Sequence, residues 1–392
     1  MEKVMETIIY AGAYCLPDND AAAHRINAVA KILNHIGYKV IITGYTYVDE
    51  NELIKCNNKN RIYKAEKYPL SIIDSLKNEI NVKLLSEAIN GSINVKAVIL
   101  YNYPTLSFNK IYKLCKLKNI KIIADCTEWY NFKTPFIFSL LRNMLVAKRM
   151  YNDNCRVDGI ISISKYLANF YSQYNIKTYI LPPVVDFNLK HFSEIPIKNN
   201  NNDINLVYPG NPLYKESIES MLIGIGNLND VEKSRIKFHI SGLTEDKLRR
   251  YLGNNVDILN KIKNNVIFHG YLTNDELFNL YRTVDFLYMA RPNNRCTQAN
   301  FPSKVPELMY YYIIPICNRV GDYYNYLQDE KNAILYNYDT PNECTEALRK
   351  TLALTKENIY NMKLEAHKCA IDNFDYLKWT NSFSYFIRNI LQ

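Results

Sequence analysis

Along this chain, short apolar runs alternate with amphipathic helical patterns, and that alternation leaves few folds open. A strand followed by a covering helix, repeated, builds a parallel sheet buried on both faces. The first run, Thr7 to Ala11, is followed by a loop with Pro17-Asp18-Asn19-Asp20, then a helix over Ala21 to Ile36 that Gly37 closes. Tyr38 to Thr43 is the second strand. Val95 to Tyr101 and Ile120 to Asp125 read as buried strands on either side of a helix from about Asn109 to Leu117. Gly159 to Ile163 adds another strand, and Ser164 caps the helix after it. Beyond Ile180-Leu181-Pro182-Pro183 the pattern stops, and Phe192 to Asp203 is polar, with a proline and an asparagine run, as in a linker. A second series follows: Ile204 to Pro209, Lys237 to Ser241, Val266 to His269, Asp285 to Met289 and Ile314 to Asn318.

A chain of 392 residues is too long for one compact core. The expectation is an α/β protein of two Rossmann-like domains facing an interdomain cleft, residues 1–190 and 204–375. The aromatic and aliphatic segment Trp379 to Leu391 is a helix expected to cross back to the first domain, with its start at about residue 376. The halves match in architecture without a sequence repeat. No GxGxxG follows the first strand, which disfavours a nicotinamide dehydrogenase.

Charge is divided unevenly between the halves. Residues 1–190 hold 25 Lys and Arg against 16 Asp and Glu, whereas 191–392 hold 23 of each, so the net charge of +9 sits wholly in the first half. Residues 101–150 alone hold nine basic and two acidic side chains. There Phe132, Phe136, Phe138, Leu140, Leu141, Met144 and Leu145 interleave with Lys133, Arg142, Lys148 and Arg149. This stretch reads either as a helix that docks on an anionic membrane surface or as a core-facing helix with a solvated basic edge. Nucleic acid is not an expected partner, because no recognition-helix, RNP or zinc-finger pattern accompanies the charge. The apolar stretch Thr7 to Leu16 is flanked by Glu2, Glu6, Asp18 and Asp20, unlike a secretory signal. No segment approaches the roughly 20 apolar residues of a membrane span. Nine cysteines form no CxxC and no metal-ligand spacing. Reduced thiols in a cytoplasmic protein, with peripheral attachment at the inner face of the membrane as an option, fit that pattern.

An anion such as a diphosphate is held by helix N-termini and cations, and a ribose by a carboxylate that accepts its hydroxyls. From Arg291-Pro292-Asn293-Asn294-Arg295 to Ser303-Lys304-Val305-Pro306-Glu307 a strand ends, a loop crosses and a helix begins at Ser303. Pro306 is tolerated in the first turn. Lys304 and Glu307, three apart, share a face, so the lysine would meet phosphate and the carboxylate ribose. The plainer reading is that Ser303 only caps the helix and Glu307 complements its dipole. After the strand Ile204 to Pro209 comes Gly210-Asn211-Pro212-Leu213-Tyr214-Lys215-Glu216, a turn that permits close approach at Gly210 and sets Lys215 near the next helix. In the first half, Asp125-Cys126-Thr127-Glu128-Trp129-Tyr130 follows a buried strand, so its carboxylates emerge at a strand C-terminal end. Asp125 and Glu128 are candidates to orient an acceptor hydroxyl or to stabilise an oxocarbenium-like transition state, although Asp125 would equally cap the following turn.

These segments, with Phe268-His269-Gly270-Tyr271, Gly321-Asp322, Tyr326-Leu327 and Asn332-Ala333-Ile334, resemble the C-terminal donor domain of the glycosyltransferase family 4 group, which has the GT-B fold. Ala21-Ala22-Ala23-His24-Arg25 and Pro182-Pro183-Val184-Val185-Asp186 extend the resemblance over nearly the whole chain. It implies a retaining transfer from a UDP- or GDP-linked sugar to a glycan or lipid-linked glycan, as in surface polysaccharide synthesis, with no cofactor and no essential metal. It further implies that Lys215 and Arg291 neutralise the diphosphate with help from Ser303 and Lys304, and that Glu307 binds ribose. On the acceptor side, Ala22 would allow close approach to a helix N-terminus and Arg25 would reach phosphate or acceptor. One departure stands out: the family often has two glutamates separated by seven residues, and the position eight before Glu307 is Ala299. That keeps open a catalytically silent relative that binds a partner, alongside a sugar-nucleotide epimerase or an inverting transferase.

Overall fold

The computed structural model describes residues 5–17, 20–58, 60–68, 82–130, 136–187, 203–212 and 215–392, without the side chains of 136–139. The expected linker therefore lies outside the described residues except for Asp203, as do Phe132, Lys133, Leu213 and Tyr214. The chain divides into two compact units. The first comprises Met1–Asp186, Ala299–Phe301 and Asp375–Gln392, and the second Phe187–Gln298 and Pro302–Phe374.

In the first unit the described strands are β1 (Thr7–Leu16), β2 (Lys39–Thr46), β3 (Arg61–Lys67), β4 (Val95–Tyr101), β5 (Lys121–Cys126), β6 (Gly159–Ser162) and β7 (Thr178–Ile180). They form one parallel sheet in the order β3-β2-β1-β4-β5-β6-β7. Central strands β1, β4 and β5 are almost wholly buried, as their unbroken apolar runs require when helices cover both faces. The helix Ala21–His35 starts where Asp20 accepts from the Ala23 N–H at 2.7 Å, and past its end Gly37 takes φ +99°, the conformation that favours glycine. Ser164 caps Lys165–Ser172 by accepting from the Leu167 N–H. Strand β1 runs five residues past the expected Ala11, because Cys15 and Leu16 pair with Tyr45 and Thr46 after a shift in register.

The C-terminal helix Thr380–Leu391 belongs to this first unit, with Phe383, Phe386, Ile387 and Ile390 buried at helical spacing. It lies so close to β6 that a Cβ on Gly159 would stand 2.6 Å from Ile390 Cδ1.

In the second unit the strands are β8 (Ile204–Pro209), β9 (Ile236–Ser241), β10 (Val266–Gly270), β11 (Phe286–Met289), β12 (Ile314–Asn318) and β13 (Ile334–Tyr336). They too are parallel, in the order β10-β9-β8-β11-β12-β13. Leu206, Tyr208, Phe238, Ile240, Phe286, Tyr288 and Ile316 carry its core. Strand order reverses between β8 and β11, and in open α/β sheets the crevice at the carboxyl ends of such strands is where ligands bind. Among the described residues no helix is long and apolar enough to cross a membrane.

Candidate functional site

The loops that leave β8 and β11 are the ones that carry the expected anion-binding residues. Gly210 follows β8 with φ +120°, and a Cβ there would stand 2.9 Å from Lys304 Nζ. The backbone conformation calls for glycine, and the tip of the lysine packs against its bare Cα. Lys304 Nζ donates to Glu216 Oε2 at 2.7 Å and lies 4.9 Å from the centre of the Tyr208 ring. The same carboxylate oxygen accepts from Tyr208 Oη at 2.5 Å. Burial first, and then the Glu216 carboxylate, raise the Tyr208 pKa, so the phenol stays protonated and donates. A cation, a carboxylate and a phenol thus meet beside a bare backbone at the switch point of the second sheet.

Arg291 sits just beyond β11 and is 1% exposed. Its Nε donates to the Lys215 carbonyl and its Nη1 to the Thr297 carbonyl, both at 3.4 Å. Asn318 anchors its backbone from β12, accepting from the Arg291 N–H and donating to its carbonyl. Arg291 therefore fixes the turn that presents Lys215 and Glu216, and Ser217 N–H donating to the Ala290 carbonyl reinforces the same link. The helix that follows runs Lys304–Tyr310, seven residues, and Ser303 makes no side-chain capping bond. Glu307 lies in its first turn near Tyr281 and Tyr311, whose pKa values are raised by burial and then by the Glu307 charge. Lys304 and Gly210 are brought together, Arg291 meets the backbone of Lys215, and Glu307 stands on the same short helix as Lys304. Glu216 carried no role in the sequence reading. The signal was an acidic side chain next to Lys215 in the turn after an apolar strand.

In the first unit Asp125, at the end of β5, is 0% exposed and both its oxygens are engaged. Arg25 Nε donates to Oδ2 at 3.0 Å and Nη2 to Oδ1 at 2.9 Å, and Tyr10 from β1 donates to Oδ2 as well. Arg25 Nη1 donates to the carbonyls of Leu181 and Pro182, each at 3.1 Å. Burial alone would lower the Arg25 pKa, but the Asp125 carboxylate outweighs it and the guanidinium is held charged. The sequence offered Asp125 to an acceptor or a cap and Arg25 to phosphate or acceptor; in the structure each is a hydrogen-bond partner of the other. Ala22 is half-buried in the first turn of the helix that carries Arg25.

Glu128 stands apart from that pair. Asn300 Nδ2 donates to its Oε1 at 3.4 Å and to the Thr127 carbonyl at 3.3 Å. Burial and then the Glu128 charge raise the pKa of Tyr101 and of Tyr130, which places both phenols near this carboxylate. Arg149 lies 5.7 Å from the Tyr130 ring centre and donates to the Asn102 carbonyl at 2.9 Å. Ala299 is buried, and its carbonyl accepts from Ser164 Oγ at 2.8 Å. A small cavity of about 50 Å³ beside Gly12, Thr43, Glu66 and Tyr103 has room for a water or two. Among the described residues no three His, Cys, Asp or Glu side chains come together to hold a metal ion.

The family model for Glycosyl transferases group 1 matches residues 186–353. No curated protein matches the sequence. Solved structures match over nearly the full length at low identity. A glycosyltransferase from Rickettsia africae ESF-5 is 16% identical with TM-score 0.66, covering 100% of both chains. Sucrose-phosphate synthase from Thermosynechococcus elongatus is 13% identical with TM-score 0.73, covering 98% of this chain and 99% of its own. Anabaena HepE in complex with UDP and glucose is 11% identical with TM-score 0.67, covering 98% of this chain and 100% of its own.

Proposed function

We propose that this chain, which has the GT-B fold and matches the model for Glycosyl transferases group 1 over residues 186–353, is a glycosyltransferase that moves a sugar with retention from a nucleoside-diphosphate donor to a glycan or lipid-linked glycan. The observation that carries this reading is the cluster of Lys304, Glu216 and Tyr208 beside Gly210 at the carboxyl end of β8, with buried Arg291 behind it. In this reading the donor diphosphate takes Lys304 from Glu216. Charge-assisted bonds of this type are worth about 1.5–3 kcal/mol each. Arg291 and Lys215 add positive charge behind the phosphates, and Glu307 accepts the ribose hydroxyls. Cations from side chains carry the charge that a metal supplies elsewhere, so no essential metal is invoked. HepE, with UDP and glucose bound, is consistent with a uridine donor.

The bond from the anomeric carbon to the diphosphate oxygen breaks, the acceptor oxygen attaches on the same face, and its proton passes to the departing phosphate. Glu128, the less enclosed of the two candidate carboxylates, is the one assigned to the acceptor side. Asp125 is assigned to positioning, since Arg25 and Tyr10 occupy its oxygens. A second reading, a catalytically silent binder, draws on Ala299, which puts a buried methyl where the family often has a glutamate.

Thermal unfolding in the presence of UDP, GDP and their sugars tests the donor assignment, because a ligand that binds only the folded state raises its stability. One nucleoside diphosphate should raise Tm, and Lys304→Ala with Glu307→Ala should abolish the rise. An undiminished rise in that double variant removes the proposed site. Turnover with any donor excludes the silent binder, and the anomeric configuration of the product decides retention.

A further inference from the structure

Strands β2 and β3 end on a group of aromatic rings that the proposed donor site does not use. Tyr45 pairs with Glu66 across the two strands, and the Tyr68 N–H carries the ladder past the strand end by donating to the Thr46 carbonyl at 3.0 Å. Side chains two apart in a strand share a face, so Tyr45, Tyr47, Glu66 and Tyr68 project to one side of the sheet. The Tyr47 and Tyr68 rings stack with 4.5 Å between centres and 29° between planes, and Tyr45 meets Tyr68 edge-on at 6.1 Å. Yet these rings are no core: Tyr47 is 62% exposed and Tyr68 38%. Mutual packing holds them in place with their outer surfaces in water, which prepares them for a ligand at little further cost in side-chain freedom.

Polar groups stand beside the rings. Half-buried Glu66 lines the small cavity together with Gly12, Gly44, Tyr45 and Tyr103. Burial, and after it Tyr45, Cys115 and the Glu66 charge, raise the Tyr103 pKa, so that phenol keeps its proton to donate. Gly44, Glu66 and Tyr103 lie within two residues of the ends of β2, β3 and β4. The cavity is therefore at the carboxyl edge of the first sheet, beside the reversal of strand order between β1 and β4, where open α/β sheets bind ligands. Its volume of about 50 Å³ takes a hydroxyl group but not a sugar ring, which would have to rest outside against the tyrosines.

We propose that Tyr47, Tyr68 and Glu66 form a saccharide platform that holds a sugar of the acceptor remote from the reacting one. A pyranose has a face of C–H bonds that packs on an aromatic ring, and a rim of hydroxyls that needs donors and acceptors within reach. The exposed face of Tyr47 meets the first need, and Glu66 with the neighbouring phenols meets the second. Glu128 follows β5, three strand positions from β2 in the order β2-β1-β4-β5, which is about 14 Å at ordinary sheet spacing. One sugar does not span that distance, so the acceptor is an oligosaccharide and not a monosaccharide. The assignment rests on the reading of a glycan acceptor, but the platform lies in the first unit and the donor cations in the second, so each can be tested without the other.

A microarray of neutral mono- to hexasaccharides, probed with the full chain, is the test. Wild type should retain oligosaccharides and not the monosaccharides of the same series, with little change as salt rises, because the sugar carries no charge to screen. Tyr47→Ala with Tyr68→Ala should weaken retention by about tenfold or more, and Glu66→Gln by about as much. Tyr47→Trp keeps an aromatic face and should bind at least as well as wild type, a rescue that a purely structural role for Tyr47 does not give. A cooperative thermal transition certifies that the variants are folded. Retention of no glycan, or equal retention in wild type and the alanine variant, overturns the proposal, and a nucleotide-induced rise in Tm in the same preparation leaves the donor site standing. Glycan retention that depends on the tyrosines, without any nucleotide effect, supports the platform and removes the donor site.

Discussion

Asp125 and Arg25 form a buried ion pair, and such pairs are costly to break because the surviving charge keeps no partner. Asp125→Asn leaves the guanidinium charged against a neutral amide, so the expected loss is about 3–5 kcal/mol, read as a lower denaturant midpoint. Nucleotide affinity, which belongs to the second unit in the proposed reading, should survive in whatever fraction stays folded. A variant of normal stability that had lost only turnover would return Asp125 to the chemistry. The pair formed by Lys304 and Glu216 works in the opposite sense. Glu216 holds the lysine, and in the proposed reading it competes with the donor phosphate for it. Glu216→Gln removes the competing charge and keeps a partner for Tyr208, so nucleoside diphosphate should bind roughly tenfold tighter, about 1.4 kcal/mol. Calorimetric titration showing equal or weaker binding would count against the competition.

Strands and helices were legible to different degrees, and burial explains the difference. Val95–Tyr101, Ile204–Pro209 and Ile314–Asn318 coincide residue for residue with the apolar runs, because interior strands of a parallel sheet must be apolar on both faces. The strands that escaped the sequence reading, β3, β7 and β13, all lie at sheet edges. In β3 the sequence Arg61–Lys67 is mostly half-buried and four of its seven side chains are charged, Arg61, Lys64, Glu66 and Lys67, a pattern with no apolar signature to find. The C-terminal helix was legible for the converse reason, since its aromatic and aliphatic positions recur at helical spacing. Phe383 is wholly buried in the first unit's core, so Phe383→Ala should cost about 3–5 kcal/mol. A change below about 1 kcal/mol in chemical denaturation would show that the helix is not part of that core.

Each unit of the molecule has its own sheet and its own apolar core, and the second also holds two histidines whose pKa values are lowered. Burial is the cause for His269, and for His367 burial outweighs the hydrogen bond to the Tyr310 carbonyl. A base with a depressed folded pKa contributes its full stability above the unfolded value, about 6.5, and loses it as pH falls through the folded value. Tm should therefore decline as pH drops from about 7 to about 5, and His269→Gln with His367→Gln should flatten the decline. A slope unchanged in the double variant would assign it to other groups. By itself the sequence determined the βα succession, the two series of strands and the cap at Ser164, because periodicity and capping are local and act within a turn or two of helix. Only the tertiary structure decided that Arg25 meets Asp125 across 100 positions and Lys304 meets Glu216 across 88. Strand order sets those partners, and once buried, each charge takes whichever opposite charge the sheet brings within reach.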